Sequence, residues 1–438
     1  MVLGAWRRRK GARHAGNKHP GNSEDELVIP NHFRCPISLD LMKDPVTLSS
    51  GITYDRESIE TWLEAGNFMC PATNQILRNF DQIPNHTLRK MIQEWCVENQ
   101  NYGVERIPTP RTPVTPVEVS EICFAVKASA MHLEQLRCLE FVEKIERWGA
   151  ESERNRRCIV ANGAAAALAS AFDAFANDSV ERNYKVLEEI LSALNWMFPI
   201  DEEAQNFLGS SASLRCIVWF LRCRDIILPK QNSIIALKEL LSCDQQLVDK
   251  LSEIEGINEI LVEFVRKQIS QAITKASIIV IFHMVSSSNE KSKLAFVKMG
   301  FVSSLLEIIF ESEKSICERA LGVFDELCSC KEGREEAQSN ALTVPVLVKK
   351  ILRVSELATV FSISAILKLC KYGRRDEGRV LVEALQVGAF QKLLLAIQVG
   401  CGDETKEKAT ELLKLLNPYR AGLECIESVD FKNLKRSF

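Results

Sequence analysis

Two independent markers repeat along this chain from residue 118 onward with a common period of forty-odd residues. Turn positions fall at Gly163, Gly209, Gly256, Gly300, Asn340 and Gly388, spaced by 46, 47, 44, 40 and 48 residues. Leu-rich segments recur in step, marked by Leu194, Leu240, His283, Leu327, Leu369 and Leu415, spaced by 46, 43, 44, 42 and 46. A unit this short cannot bury its apolar face alone. Neighbouring units therefore have to stack into an array with one continuous core.

A period of this length matches armadillo or HEAT units, each of two or three helices, and predicts a mainly α protein with a right-handed α-solenoid over 118–420. The composition agrees. Aromatic residues make up only 7%, and Leu, Ile, Val and Ala dominate, as suits helices packed on helices. The run Ala164 to Ala169 reads as a buried helix, while 211–214 and Pro229 mark less regular places. The last unit, Ala409 to Leu416, is expected to stop at Asn417-Pro418 and give way to a polar tail, 421–438. Such an array presents an elongated concave groove, the usual place for a peptide or protein partner. No catalytic constellation stands out in it. His283 reads as a packed core residue, and Cys328-x-Cys330 has no second pair nearby to complete a metal shell.

Bulk properties exclude several classes. A chain of 438 residues with a formal net charge of -3 lacks the basic excess of a dedicated nucleic-acid binder. Its fifteen cysteines are scattered through apolar patterns, and no secretory apolar segment opens the chain, so a reducing, cytoplasmic setting is expected. No run of eighteen apolar residues exists, so no transmembrane segment is expected. The basic cluster Arg7-Arg8-Arg9-Lys10 lies in a polar stretch, 1–26, expected to be a disordered tail. Nuclear import and contact with an anionic membrane surface are the other uses of such a cluster.

Residues 27–103 form a separate small module. One helix is expected after Asp55, a good N-cap, with Ile59, Trp62 and Leu63 on one face. A second follows Asn85 as N-cap, with Leu88, Met91, Ile92 and Trp95 as its apolar stripe. Two irregular loops around a central helix, closed by a final helix, is the implied plan. Two zinc sites would need eight Cys or His ligands, largely in close pairs. The module offers Cys35, Cys70, Cys96, His32 and His86, none in a C-x-x-C pair. No metal or other cofactor is expected, and hydrogen bonds, ion pairs and packing have to hold the core. Cys35 and Cys70 precede prolines in apolar surroundings and read as small core residues, not thiol nucleophiles.

Between module and array, residues 104–117 carry Pro108, Pro110, Pro113 and Pro116, the composition of a semi-rigid linker. Thr109, Thr112 and Thr115 each precede a proline, which makes them candidate targets of a proline-directed kinase.

The ordered series Ile29-Pro30-x-x-Phe33-x-Cys35-Pro36-Ile37, Asp44-Pro45-Val46, Gly51-x-Thr53-Tyr54-Asp55-Arg56, Ile59-x-x-Trp62-Leu63, Cys70-Pro71 and Pro84-Asn85-x-x-Leu88-Arg89 resembles a U-box. With the proline-containing linker and the repeats, nearly the whole chain resembles the plant U-box ubiquitin ligases with C-terminal armadillo repeats. The resemblance implies a zinc-free, RING-like α+β domain and an E3 ligase of the non-covalent kind, without a catalytic residue of its own. Such a domain holds a ubiquitin-charged E2 enzyme beside a substrate lysine, and the armadillo groove takes the protein substrate. Carried over by position, Ile37 and Leu39 in the first loop, Trp62 in the helix and Pro71 in the second loop are the implied E2 contacts. Trp62 fits core packing equally well. Asn74 stands where many relatives have an arginine that locks ubiquitin against the E2. Asp44, Thr53, Asp55 and Arg56 are the implied polar network in place of zinc, with plain helix capping as the alternative for Asp55. Many U-boxes dimerise, so a homodimer through this domain is a further implied partner. A non-catalytic adaptor is the rival reading, and a nuclear transport receptor leaves the module unexplained.

Overall fold

The computed structural model describes residues 29–107, 113–223, 227–244, 246–286, 290–371 and 377–420. The chain divides into two units between Thr112 and Pro113. The tail 1–26, Thr109, Thr112 and the tail 421–438 lie outside the described residues.

In the first unit, strands β1 (Pro45–Thr47), β2 (Thr53–Asp55) and β3 (Ile83–Pro84) form an antiparallel sheet in the order β2-β1-β3. Helices α1 (Arg56–Glu64) and α2 (His86–Glu98) pack beside it. Val46, Tyr54, Ile59 and Ile92 are buried together with Phe33, Met42 and Leu77. Asn85 caps α2 as expected, its side-chain oxygen accepting from the Leu88 N–H at 3.0 Å. The unit runs past residue 103, because Ile107 is buried in the same core and its carbonyl accepts from Gln93 at 3.1 Å.

The expected linker is also shorter at its other end. Helix α3 (Pro116–Met131) starts inside it. Pro116 occupies the first helical position, where a missing N–H is not needed. Thr115 accepts from the Glu118 N–H at 3.3 Å while Glu118 accepts from the Thr115 N–H at 2.8 Å, a reciprocal capping box. Val114 is buried and donates to Asn155 at 3.1 Å. Thr115 is therefore an exposed helix cap and not a residue of an open linker, which moves the linker's end back before it.

Among the described residues, α3 and α4 (Gln135–Glu151) lead into six three-helix units. The first is α5 (Glu153–Ala161), α6 (Ala164–Asp178) and α7 (Val180–Asn195), and the second is α8 (Glu202–Leu208), α9 (Ser211–Arg222) and α10 (Ile227–Cys243). Next come α11 (Gln246–Ser252), α12 (Ile257–Lys267) and α13 (Gln271–Ser286), then α14 (Glu290–Lys298), α15 (Phe301–Glu311) and α16 (Lys314–Leu327). The last two are α17 (Lys331–Ser339), α18 (Thr343–Lys350), α19 (Glu356–Lys371), and α20 (Glu377–Gln386), α21 (Ala389–Val399), α22 (Asp403–Arg420). Each turn marker lies between the first and second helix of a unit, and each Leu-rich marker lies on its third helix. The third helices contact one another in series from α4 through α7, α10, α13, α16 and α19 to α22.

Gly163, Gly256, Gly300 and Gly388 adopt the left-handed backbone that glycine enters without steric cost. Gly209 does not, with φ at -81°. A side chain there would crowd its neighbours, since a Cβ would lie 2.7 Å from a Leu247 methyl, which would have to shift, and 3.0 Å from the Gln205 carbonyl oxygen. Asn340 closes its turn differently again, its side chain accepting from the Leu342 N–H at 3.0 Å. Basic side chains tie successive units: Arg222 donates to the Glu255 carbonyl, and Arg266 repeats this on Met299 at 2.6 Å.

Two irregularities expected from the sequence are absent among the described residues. Ser210 caps α9 by accepting from the Ser213 N–H at 3.0 Å, so 211–214 is ordinary helix. Pro229 falls in the first turn of α10, where it is tolerated. At the other end, α22 continues through Pro418 to Arg420. Tyr419 lies against Gly378, and Arg420 sits 4.8 Å from the Phe390 ring centroid, contacts that hold the last turn.

A glycine pair separates steric from conformational cost. A methyl at Gly333 would run into the Leu327 carbonyl oxygen, whereas at Gly163 it meets nothing within 4 Å but is held at φ +79°. Urea unfolding is expected to show Gly333→Ala costing about 2–4 kcal/mol and Gly163→Ala about 1 kcal/mol. Equal costs would contradict this account.

Candidate functional site

The two loops of the first unit are the same hairpin built twice. In the first, the Cys35 N–H donates to the Asp40 carbonyl and the Leu39 N–H to the Cys35 carbonyl, both at 2.8 Å. In the second, Cys70 donates to Gln75 and Asn74 to Cys70, again at 2.8 Å. Flanking bridges pair Arg34 with Leu41 and Met69 with Ile76. Leu39 and Asn74 occupy equivalent positions, and both have positive φ, 64° and 56°. The sequence carries the signal for this duplication: Cys35-Pro36-Ile37-Ser38-Leu39-Asp40-Leu41-Met42 aligns with Cys70-Pro71-Ala72-Thr73-Asn74-Gln75-Ile76-Leu77.

Strand β2 fastens both hairpins through two adjacent residues whose side chains point to opposite faces. The buried Tyr54 hydroxyl lies 3.0 Å from the Cys70 sulfur and accepts from the Ala72 N–H at 3.1 Å. Asp55 serves the other hairpin. Its N–H donates to the Cys35 sulfur at 3.3 Å, and its carboxylate accepts from the Lys43 and Asp44 N–H groups at 2.7 and 2.8 Å. Asp55 stands at the N-cap position of α1 but makes no side-chain cap bond, so the capping reading is corrected. Its carboxylate is already committed to the first loop.

Both cysteines sit where donors converge. Burial raises the Cys35 thiol, but hydrogen bonds from the Ser38, Asp55 and Ile37 backbone and from Ser58 bring it below its ordinary value. Cys70 behaves likewise: burial opposes ionisation, and donors from Ser50, Thr73 and Tyr54 outweigh it. Both sulfurs are buried and occupied as acceptors. Burial and the Cys70 contact push the Tyr54 hydroxyl up, keeping it protonated as a donor.

Asp44 joins the loops to both helices. One carboxylate oxygen takes Arg56 Nε at 2.8 Å, and the other takes Arg89, which sequence reasoning placed in the motif without a role. Arg56 also donates to Gln82 at 3.0 Å, reaching the segment before β3. Thr53 lies 2.9 Å from Thr47 across the β1–β2 pair, and Asn85 donates toward both hydroxyls at 3.4 Å. Asp44, Thr53, Asp55 and Arg56 thus all join polar contacts, with Tyr54, Arg89 and Gln82 added.

The expected contact residues divide by exposure. Leu39 is 66% exposed at the tip of the first hairpin, an unusual setting for a leucine at positive φ. Asn74 is exposed at the matching tip, and Pro71 is half-buried. Ile37 is half-buried and packs on the core. Trp62 does two jobs. Its ring packs on the core, and its Nε1 donates to the Met69 carbonyl at 2.9 Å, fixing the second hairpin to α1.

In the solenoid, His283 is half-buried, with Nε2 3.4 Å from the Ser242 hydroxyl. Burial and the nearby Arg319 charge push it below the ordinary histidine range.

Charge matters at Asp44 and not at Asp55. Burial raises the Asp55 carboxyl above its unfolded value, so its stabilising effect is complete at low pH and falls as pH climbs through the folded value. At neutral pH an amide that keeps one accepting oxygen replaces it cheaply. Thermal unfolding is expected to show Asp55→Asn costing less than about 1 kcal/mol and Asp44→Asn about 2–4 kcal/mol, because the latter strands two guanidinium groups. The reverse order would refute the assignment.

The family model of the U-box domain matches residues 29–101, and that of the plant U-box protein ARM repeat region matches 118–436. U-box domain-containing protein 21 of Arabidopsis thaliana is 47% identical over 95% of this chain and 94% of its own length. E3 ubiquitin-protein ligase PUB23 of the same plant is 36% identical over 90% of this chain and 94% of its own. Among solved structures, UNC-45 from Drosophila melanogaster matches at a TM-score of 0.54 and 15% identity, covering 76% of this chain and 39% of that one, a likeness of fold alone. Twin hairpins, a solenoid of three-helix units and these relatives lead to one conclusion: the chain belongs to the plant U-box proteins with armadillo repeats, a family whose members named as E3 ubiquitin-protein ligases support ligase function here.

Proposed function

We propose that the protein binds a ubiquitin-charged E2 on the two hairpins and α1, and a protein substrate on the row of third helices. The observation that carries this reading is Leu39. A mostly exposed leucine, held at positive φ by a hairpin stitched to β2, has no structural use to its own unit. Its use lies in a partner's apolar surface. Ile37 and Pro71 belong to the same expected contact set, and the anchoring of both hairpins to one strand keeps the hairpins preorganised.

The reaction is aminolysis of the E2 thioester. A substrate lysine amine attacks the ubiquitin carbonyl, an isopeptide bond forms, and the E2 thiolate leaves. The ligase contributes proximity and orientation, which convert a bimolecular attack into an effectively intramolecular one. No cysteine of the U-box is required in this scheme, in keeping with the buried, hydrogen-bonded sulfurs of Cys35 and Cys70. A cytoplasmic setting and use of the Thr-Pro dipeptides at Thr109, Thr112 and Thr115 by a kinase belong to the same proposal.

The test is autoubiquitination with purified E1, a panel of E2s, ubiquitin and ATP. Wild type is expected to give polyubiquitin chains. Leu39→Asn copies the residue at the equivalent tip, which tolerates positive φ, so melting stays unchanged while the rate drops about tenfold, ~1.4 kcal/mol of transition-state stabilisation. Ile37→Ala is expected to lose activity and also about 1 kcal/mol of stability through lost packing. Asn74→Arg, which supplies a charged fork, is expected to raise ubiquitin discharge. A folded wild type inactive with every E2 would replace this reading with the adaptor.

A further inference from the structure

The two ends of the solenoid are finished differently. At the C-terminal end, the outer face of α22 exposes Asp403, Lys406, Glu407, Thr410 and Lys414, the polar finish that a repeat array needs. At the N-terminal end, α3 buries Val119, Ile122 and Val126 against its neighbours and exposes Val117, Phe124 and Met131 by 66, 76 and 81%. These three are spaced by seven residues, so they form one stripe along the helix.

We propose that this stripe is a self-association surface on which two copies of the chain meet antiparallel, with Phe124 on the two-fold axis. The residue order selects this occupant. In an antiparallel pair centred on Phe124, each residue stands level with the one equally far from 124 in the other copy. Val117 then stands level with Met131 and Ser120 with Ala128, while Phe124 meets itself. Glu121 stands level with Lys127 on both sides of the axis, giving two opposite-charge pairs within reach of these long side chains. A parallel pair would instead bring Glu121 to Glu121 and Lys127 to Lys127. The apolar order and the charges therefore agree on one isologous contact. Lys127 is free to take part, because its link to Glu203, 3.6 Å long and exposed, is of a kind worth little. A single helix pair lies at the small end of interface sizes, so dissociation on the order of 10 µM is expected.

Sedimentation equilibrium of the full chain, over concentrations bracketing that value, tests the proposal. Wild type is expected to move from one chain mass to two. Phe124→Lys places two cations on the axis and is expected to remain monomeric, with circular dichroism unchanged because the side chain is exposed. Glu121→Lys and Lys127→Glu are each expected to weaken association about tenfold, one 1.4 kcal/mol step, and the double swap to restore it. A monomer at every concentration overturns the proposal, as it would if the stripe were covered within its own chain. A dimer indifferent to all these substitutions, as one formed through the U-box would be, overturns it too. Failure of the double swap to rescue rejects the antiparallel register. None of these readouts depends on ligase activity, so the result stands apart from the E2-binding reading.

Discussion

Asp44 sends its two carboxylate oxygens to different helices, to Arg56 at the start of α1 and to Arg89 within α2. All three side chains are mostly shielded, so the charges interact in a medium less screening than bulk water. Their value lies in position. Asp44 also lends its N–H to Asp55 and its carbonyl to the Arg56 N–H, so one residue ties the first hairpin, β2 and both helices together. A zinc ion would have pinned the same loops by four bonds at one point. Here the constraint is spread over Asp44, Tyr54 and Asp55, each of which holds more than one partner. Removal of one partner leaves the others buried and unsatisfied, which makes such a network cooperative.

The solenoid rests on another principle. Its core is a long strip in which each unit is completed by the next, so its stability is a sum of neighbour contacts. Polar ties are placed where the helices turn. Arg222 and Arg266 cap carbonyls beside Gly256 and Gly300 in the following unit, and Lys392 takes the Val348 carbonyl at 2.7 Å at the end of α18. Carbonyls at helix ends otherwise need water. Within the row of third helices, the buried Asp325 meets Lys368 at 2.8 Å, and burial pushes its carboxyl up despite that cation. Removing either partner would strand the other in the core.

Most of this architecture was legible because periodicity reports burial directly. Leu194, Leu240 and Leu327 mark third helices because a stacked unit must repeat its apolar face. Local chemistry was less legible wherever one residue had two possible partners. Asp55 has the right type and place for a helix cap, yet tertiary N–H groups took its carboxylate. Thr115 looked like linker by its prolines, but Glu118 three residues later was the capping-box signal that settled its role. Ile37 stands among loop residues, and only the folded core shows that it also covers part of that core. Arg89 could not be assigned, because its partner lies forty-five residues away. The duplicated hairpin was readable all along in the two Cys-Pro octapeptides.

The duplication also bears on what the U-box can do. Two equivalent tips present different side chains, Leu39 and Asn74, on backbones that both spend positive φ on a non-glycine residue. Asparagine accepts that conformation readily, whereas leucine does so at a cost. Strain of this kind persists only where the surroundings enforce it. The first hairpin supplies that enforcement through Asp55 and the paired bonds at Cys35. The asymmetry therefore separates two tasks on one repeated frame: the first tip offers apolar surface, and the second offers a hydrogen-bonding amide.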